Sequence, residues 1–319
     1  MAYYVGRRGN LGVAKESTRG TPVVPAYWIP YNSLSFDDKT VTVDQEASFG
    51  NVADSMSAHV VKKYAEGSFE ADLEDKAIGL ILANILGAVP SSSAGPTNYT
   101  HTYTFQNINQ AQSLSLFVQD PNGQTIFPLS MIDKFEIKVE PEGIVKYSCD
   151  IRSKAGQDWT AQTTSYTSLG NKFLHQHLAF KLAADIAGLA AASALSLRSF
   201  TFTVTKNLKD FDDMGTATPG DILNQNVTIE GSIELGYSDR VYRNYMLNGT
   251  YRSMDITLTY GANNSLQFQL PRVSFRSWEP SKGLDDITTE KIDFKGLYDA
   301  TNALQVISTC VLKNQVTSY

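Results

Sequence analysis

The chain has 319 residues, of which 19% are charged and 11% are aromatic, and its formal net charge is -6. At about 100–200 residues per domain, this length fits two domains or one large one. The aromatic content and low charge exclude intrinsic disorder, and the acidic balance argues against a reader of DNA sequence, because phosphate binding comes mainly from Lys and Arg. No stretch has the roughly 18 consecutive apolar residues of a membrane-spanning helix, so we expect no membrane insertion.

The start of the chain and its cysteines indicate where it is made. No apolar stretch follows Arg7 and Arg8, as a secretory signal would require. Cys149 and Cys310 are too few for a disulfide framework, and each stands in an apolar segment. We therefore expect both to be small core residues, in a protein assembled in a reducing cytoplasm.

Most of the sequence alternates apolar and polar residues with period two, which predicts half-buried antiparallel strands. The clearest segments are residues 113–118, 134–139, 200–204 and 265–270. Turn-forming residues such as Asp120-Pro121-Asn122-Gly123 separate them. The predicted class is therefore mainly β, as a sandwich or barrel.

Two short helices interrupt the strands. The first is predicted after Glu74 and Asp75 and ends before Gly87, since acids favour the first turn and glycine favours the left-handed cap. The second begins near Ser238 and ends before Gly249. Residues 183–194 fit either a marginal helix or a close-packed connector.

The two helices belong to a repeat with an offset of 164 residues. Residues 66–70 (Glu-Gly-Ser-Phe-Glu) fall on residues 230–234 (Glu-Gly-Ser-Ile-Glu), and Asn84 falls without a gap on Asn248. The order of helix, strands and long loop also recurs. This pattern predicts an internal duplication of one β-sandwich domain that carries a single short helix.

The repeat divides the chain into four parts. These are an N-terminal arm (1–32), a first domain (33–152), a linker and connecting segment (153–196), and a second domain (197–319). Each domain opens with a strand followed by a long polar loop, at residues 37–60 and 206–224.

A search for catalytic or metal-binding patterns gives no enzyme. The sequence lacks the Gly-x-Ser-x-Gly elbow, the phosphate-binding loop and the dinucleotide-binding turn. His175 and His177 could share one strand face, but no acid or cysteine lies nearby in sequence to complete a metal site. Residues 210–215 lack the late glutamate of a calcium loop. We expect no catalytic residue, cofactor or metal.

The N-terminal residues 9–22, Gly-Asn-Leu-Gly-Val-Ala-Lys-Glu-Ser-Thr-Arg-Gly-Thr-Pro, followed by Ala-Tyr-Trp-Ile-Pro at 26–30, resemble the opening of the major tail tube proteins of long-tailed bacteriophages. The likeness continues at residues 66–69, at Tyr-Thr-His-Thr-Tyr-Thr-Phe (99–105) and at Leu-Pro-Arg-Val (270–273). It covers most of the chain.

The resemblance implies a structural virion protein of the tail, whose β-sandwich domains assemble into stacked rings around a channel for DNA. Single-domain members form hexameric rings, so a chain with two such domains is expected to form a trimer, with a hexamer of full chains as the alternative. The implied partners are further copies, the tape-measure protein, DNA that passes without specific binding, and the tail terminator and tip proteins.

Stacked rings need contacts along the axis, and the arm and the two long loops are the candidates. We expect all three to lie outside the core, because they are too polar or too rich in Pro and Gly. Long loops in compact domains usually have a function. The residues that we predict at these inter-ring contacts are Glu16, Arg19, Asp37, Asp38, Asp44, Phe49, Asp210, Asp212 and Asp213.

Two alternatives stay open at this point. Aromatic-rich β-sandwiches often bind carbohydrate, and Trp28, Trp159 and Trp278 could stack on sugars in a tail-tip or surface protein. The chain could also be the tube of a contractile injection system, which would have a sheath that this sequence cannot reveal.

Overall fold

The computed structural model of the protein describes residues 3–87, 91–94, 98–166, 170–281, 283–284 and 287–319. Antiparallel strands dominate it, as the alternation predicted. In the N-terminal part of the chain the elements are a 3-10 helix at Gly6–Arg8, β1 (Asn10–Lys15), β2 (Tyr27–Ile29), β3 (Tyr31–Asp44), β4 (Ala58–Asp72), α1 (Ile78–Leu86), β5 (Ser91–Ala94), β6 (Tyr99–Tyr103), β7 (Leu114–Gln119), β8 (Gln124–Val139), β9 (Lys146–Lys154) and β10 (Gln157–Asp158).

The C-terminal part continues with a similar set of elements. Its elements are a 3-10 helix at His175–His177, β11 (Leu178–Ala183), a 3-10 helix at Ala187–Leu189, β12 (Ala194–Leu195), β13 (Leu197–Thr205), β14 (Leu208–Phe211), β15 (Asp221–Asn224), β16 (Thr228–Gly236), α2 (Val241–Leu247), β17 (Arg252–Tyr260), β18 (Asn264–Pro280), β19 (Thr289–Gly296) and β20 (Thr309–Asn314).

Corresponding strands of the two parts pair in the same way. In the first half (residues 33–152), β3 pairs with β4, β4 with β9, β9 with β8, and β8 with β7. In the second half (residues 197–319), β13, β16, β19, β18 and β17 pair in the same succession. Both halves therefore have one topology. The common origin of the halves and the domain boundaries stay predictions.

The pairing registers agree as well, including their irregularities. Gly67 lies opposite Phe36, and Gly231 lies opposite Phe202. The β3–β4 ladder shifts between Tyr31 and Ser33, and the β13–β16 ladder shifts between the matching residues Leu197 and Ser199. The β8–β9 and β18–β19 ladders shift after Ile132 and Phe275, respectively. A bulge fixes the register of a strand pair. The bulges at corresponding positions therefore align the two halves residue by residue.

One further ladder joins the halves. Residues 134–139 of β8 pair antiparallel with residues 200–205 of β13, from Lys134 opposite Thr205 to Val139 opposite Phe200. We call this pairing the in-chain seam. It makes a continuous sheet of eight strands in the order β3, β4, β9, β8, β13, β16, β19, β18.

The two helices form where the sequence predicted them, but they differ in burial. Every residue of α1 is buried, and Gly87 ends it in the left-handed conformation with φ of 74°. The Tyr319 ring lies against Gly79 of α1, and its hydroxyl donates to the Lys76 carbonyl. In α2, by contrast, no residue is fully buried, and Val241 and Leu247 are exposed.

Three expectations about irregular segments are wrong. The predicted loop 37–60 is largely a β-hairpin, because the β3–β4 ladder runs to Asp44 and Ala58 and leaves a tip of residues 45–57. Residues 206–224 form a second hairpin from β14 and β15. The arm is not outside the core, since β1 pairs with β7 and buries Leu11 and Val13.

The connecting segment 153–196 is also more ordered than a linker. Its strand β11 pairs with β17, and β10 pairs with β8. Residues 187–189 form a single 3-10 turn, so the helix alternative for residues 183–194 is limited to that turn. The segment therefore contributes strands to both halves.

Gly67 tests the close approach of β3 and β4. A Cβ at Gly67 would lie 1.9 Å from the Ser35 carbonyl oxygen, so Gly67→Ala must displace β3. We expect the free energy of unfolding of unassembled subunits, measured with urea, to fall by about 1–3 kcal/mol. Gly236→Ala is the matched control, since its Cβ would meet no atom within 4 Å. Equal losses in both variants would contradict this account.

Candidate assembly surfaces

The eight-stranded sheet has one apolar and one polar side. Residues such as Phe69, Phe135, Phe202 and Phe294 alternate inward and form the core. The residues between them point the other way and are mostly Ser, Thr, Lys, Asp and Glu. We call this side the polar face. It runs across both halves because the in-chain seam keeps the alternation in phase.

Four basic side chains on the polar face are paired with acids. The pairs are Lys134 with Glu136 at 2.8 Å, Lys146 with Glu70 at 3.1 Å, Arg152 with Glu66 at 3.1 Å, and Lys295 with Glu230 at 3.0 Å. Such partly exposed pairs contribute little to stability. Their effect is to place a negative charge beside each of these four cations, which weakens attraction for a polyanion.

The β3–β4 hairpin extends from the sheet and is exposed along its outer part. Val41, Val43, Val60 and Val61 each have more than 40% of their surface exposed, and Val52 and Met56 are exposed at the tip. Exposed apolar side chains along one hairpin are typical of a surface that another protein covers.

The β14–β15 hairpin, in contrast, packs against the first half. Ile222 is fully buried in a cluster with Ala111, Leu129 and Met131. The Lys62 ammonium lies 2.7 Å from Asp210 and 2.8 Å from Asp212, and the Lys63 amide donates to the Ala217 carbonyl at 2.6 Å. The second hairpin is thereby fixed to the base of the first.

Glu16 anchors the arm to the first half. Its buried carboxylate accepts hydrogen bonds from the hydroxyls of Ser113 (2.6 Å) and Ser115 (2.9 Å). It also accepts bonds from the amides of Leu129 (2.8 Å) and Gly20 (2.7 Å). With four donors on two oxygens, Glu16 fixes the turn that presents Arg19.

Arg19 connects the arm to the second hairpin. Its guanidinium lies 2.8 Å from the Asp221 carboxylate and donates to the carbonyls of Ala111 and Ile222. These bonds hold the pKa of Asp221 below its ordinary value against the effect of burial, together with bonds from the Ile222 amide and Gln110.

The residues predicted at inter-ring contacts therefore lie in two settings. Glu16, Arg19 and Asp210 make the bonds within the chain described above. Asp37, Asp38, Asp44 and Asp213 are exposed, Asp212 is exposed beside Lys62, and Phe49 is half-buried in the tip. The structure does not bring the nine residues together in one patch. Their inter-ring role stays a prediction.

Lys206 is a residue that the sequence did not single out. It follows β13 at the in-chain seam and is 1% exposed, with its ammonium donating to the Asn84 carbonyl. Burial, and to a lesser degree Arg19, lower the pKa of Lys206 to about 7, while Asp133 acts in the opposite direction. It is the first residue of the predicted polar loop 206–224, and no local pattern marks it as buried.

The other candidate sites of the sequence have structural roles. The pair His175 and His177 stands in a 3-10 helix and not on a strand, so the predicted strand face is wrong; the Leu174 amide donates to Nδ1 of His177. Cys149 and Cys310 are buried core residues, as predicted, and burial raises the pKa of both thiols. Within the described ranges, no three His, Cys, Asp or Glu side chains form a group that could hold a metal ion. Of the described helices, none combines the length and apolar character needed to cross a bilayer.

Lys206 predicts a pH dependence of stability. Between about pH 7 and 10, Lys206 is protonated in the unfolded chain and neutral in the folded chain. The free energy of unfolding therefore rises with pH over this range. Below about pH 7 the folded chain must also hold the charged ammonium, and its full burial cost lowers the stability. We expect Lys206→Met to remove this rise, by up to about 1.4 kcal/mol per pH unit, in urea titrations at several pH values. Lys209→Met, at an exposed site, is the control and should keep the slope. Parallel profiles for wild type and Lys206→Met would contradict the buried ammonium.

Comparison with known proteins identifies the family of the chain. No curated protein matches the chain. The family model described as phage tail tube protein matches residues 6–296, which include most of the arm, the first half, both hairpins and the second half as far as the end of β19. This family is one of structural phage proteins and not of enzymes. The chain belongs to the phage tail tube protein family.

Proposed function

We propose that this protein polymerises into stacked rings that form the tail tube, the conduit for DNA delivery into the host. The observation that supports this most is the eight-stranded sheet with two unpaired outer edges. Among the described strands, none pairs with the outer edge of β3 or with the outer edge of residues 274–280 in β18. Unpaired edges promote association, and a ring closed by further copies removes them.

Three chains per ring fit the size of a DNA channel. Three chains would supply 24 strands (three times eight), and at a spacing of ~4.8 Å these make a ring of backbone about 37 Å across before strand tilt widens it. Side chains occupy about 5 Å on each side, which leaves a bore of about 27 Å. Two chains would leave only about 14 Å by the same reckoning. The trimer with six similar domains is therefore preferred, with a hexamer of full chains as the alternative.

The polar face is the proposed lining of the bore. A tube that passes DNA must not hold it, and affinity for the phosphate backbone comes from free Lys and Arg. The four ion pairs on this face reduce that affinity while keeping the surface wetted. DNA and the tape-measure protein would thus pass without specific binding.

Ring stacking is proposed to use the tips of the two hairpins. Asp44, Phe49, Asp212 and Asp213 lie at or next to these tips. Glu16, Arg19 and Asp210 would contribute by holding the second hairpin in position. The ends of the stack would bind the tail terminator and tip proteins. The protein would be assembled in the host cytoplasm and act in the virion tail without a catalytic role or cofactor.

The alternatives have less support. Carbohydrate stacking needs exposed aromatic faces, but Trp28 is 8% exposed and packs with Phe117 and Trp159, and Trp278 donates to Glu290. A tube from a contractile injection system would be built in the same manner, and its sheath is a different chain.

Electron microscopy of the purified protein tests the proposal. At high concentration we expect hollow tubes with a central channel wide enough for duplex DNA. Solutions that hold only monomers at every concentration and ionic strength, together with binding to a glycan array, would contradict the tube and favour the carbohydrate-binding alternative.

Shortening the first hairpin should separate ring formation from stacking. Replacing residues 46–56 by Asn-Gly keeps the ladder that ends at Gln45 and Ser57 and supplies a two-residue turn. We expect folded rings that no longer stack, visible as single rings in micrographs. Alanine at Gly123, where a Cβ meets no atom within 4 Å, alters a different turn and should leave stacking unchanged. Normal tubes from the shortened variant would refute this role of the tip.

Removing acids from the polar face should increase DNA retention. The variant Glu66→Gln, Glu70→Gln, Glu136→Gln and Glu230→Gln leaves Lys146, Lys134 and Lys295 without these partners. Arg152 keeps only the more distant Asp210, at 3.7 Å. We expect its tubes to retain labelled DNA at low salt at least tenfold more than wild-type tubes, and to lose it as salt rises. A control with four changes at exposed acids off the polar face and away from both hairpin tips, Glu142→Gln, Asp158→Asn, Asp185→Asn and Asp239→Asn, should match wild type. Equal retention in all three would contradict a lumenal polar face.

A further inference from the structure

We infer that β3 of one copy pairs antiparallel with the end of β18 in the next copy, from Phe36 opposite Pro280 to Thr40 opposite Arg276. We call this the inter-copy seam. The inference rests on the proposed ring and goes beyond it by naming the two strands, their direction and their register.

The register follows from the in-chain seam. Phe36 and Phe202 hold the same position against Gly67 and Gly231, so β3 corresponds to β13. The shared bulges place Ile132 of β8 on Phe275 of β18, with Lys134 on Ser277 two positions later. In the in-chain seam Phe202 lies opposite Ile137 and Thr203 opposite Glu136. The same geometry sets Phe36 opposite Pro280 and Asp37 opposite Glu279 of the next copy.

Both edges are free to pair in this way. β3 uses one edge for β4, and the Lys63 amide, opposite Thr40 in that ladder, donates to Ala217 and not back to β3. Amides alternate along a strand, so those of Phe36, Asp38 and Thr40 point to the outer edge. Residues 274–280 of β18 pair with β19 on one side only among the described strands.

Side chains at the edges agree with a pairing that is specific but limited in length. Pro280 has no amide proton, so it accepts a bond from Phe36 and returns none, and the ladder ends there. Asp37 would face Glu279 directly, an unfavourable pair of like charges, with Lys39 diagonally within reach of Glu279. In the in-chain seam the equivalent Glu136 pairs with Lys134 at 2.8 Å. Lys39 would take over that function from a neighbouring copy.

Lys206 and Asp133 extend the in-chain seam by one position as a hydrogen-bonded pair, because the Lys206 amide donates to the Asp133 carbonyl at 2.7 Å. Since such pairs alternate with non-hydrogen-bonded pairs, Thr203 and Glu136 form a non-hydrogen-bonded pair, and so would Asp37 and Glu279. Cα atoms in these pairs lie about 4.5 Å apart, which suits a disulfide. Two cysteines there would report the register directly.

Disulfide formation in assembled tubes tests the inter-copy seam. Tubes of the variant Asp37→Cys, Glu279→Cys are formed under reducing conditions, oxidised, and run on a denaturing gel without reductant. We expect covalent dimers and trimers, with trimer as the limit. The variant Asp37→Cys, Ser277→Cys is two residues out of register and should give less than a tenth of this product. The variant Thr203→Cys, Glu136→Cys is the in-chain control and should oxidise within one chain.

The outcomes separate the seam from the function. Suppose that tubes form and that the in-chain control oxidises. The inter-copy seam is then refuted if Asp37→Cys, Glu279→Cys gives no covalent multimer, or if the out-of-register variant gives more. The proposed tube would stand in either case. If wild type forms no rings or tubes while the in-chain control oxidises, the proposed function itself fails. Hydrogen exchange of wild type provides a second measurement: the amides of Asp38 and Thr40 should exchange at least tenfold more slowly in tubes, and unchanged exchange would overturn the pairing.

Discussion

The hydrogen-bonding requirement of a sheet edge is the constraint on which the rest of this structure depends. Each exposed strand edge presents a row of amide and carbonyl groups that must find partners or remain in water. Within the chain, the pairing of residues 134–139 with 200–205 meets this requirement between the halves. The outer edges of β3 and of residues 274–280 in β18 have no partner among the described strands. In the proposed ring, the interaction that joins the halves also joins neighbouring copies.

The two halves share a topology but are covered differently. The arm, Tyr319 and the β14–β15 hairpin all pack on the first half, which explains why α1 is buried throughout. The second half has fewer such additions, and α2 remains half-exposed. The β14–β15 hairpin packs against the first half. The outer part of the β3–β4 hairpin, by contrast, stays exposed in the single chain. Exposed surface therefore remains on both halves, on the β3–β4 hairpin of the first and on α2 of the second.

Much of the fold could be predicted from local patterns. Alternation located strands such as β7 and β13, and Gly87 marked the end of α1 because only a left-handed residue closes it. The repeat aligned Gly67 with Gly231, and the structure shows that the backbones approach closely at both positions. The polar composition of residues 37–44 predicts a loop in place of the hairpin ladder, although Val41 and Val43 alternate with threonines. Both valines are exposed, so this strand has no buried side of the kind that such alternation normally indicates.

The assembly surfaces were harder to predict, because they depend on contacts between distant residues. Arg19 bonds to Asp221 across about two hundred positions, and Lys62 meets Asp210 only after the second hairpin folds onto the first. Exposed acids such as Asp44 and Asp213 could be selected from loop composition, but the burial of Glu16 and Lys206 depends on strands that pair over long separations. Local sequence patterns carry no signal for these contacts.

The number of chains in one ring tests the central claim most directly. The claim is that one chain supplies two equivalent arcs of a closed sheet. Electron cryomicroscopy of tubes, averaged without imposed symmetry, should show rings of three chains with six similar lobes and a sheet that continues across each boundary. Rings of six full-length chains, or rings in which the sheets of neighbouring chains do not join, would contradict it.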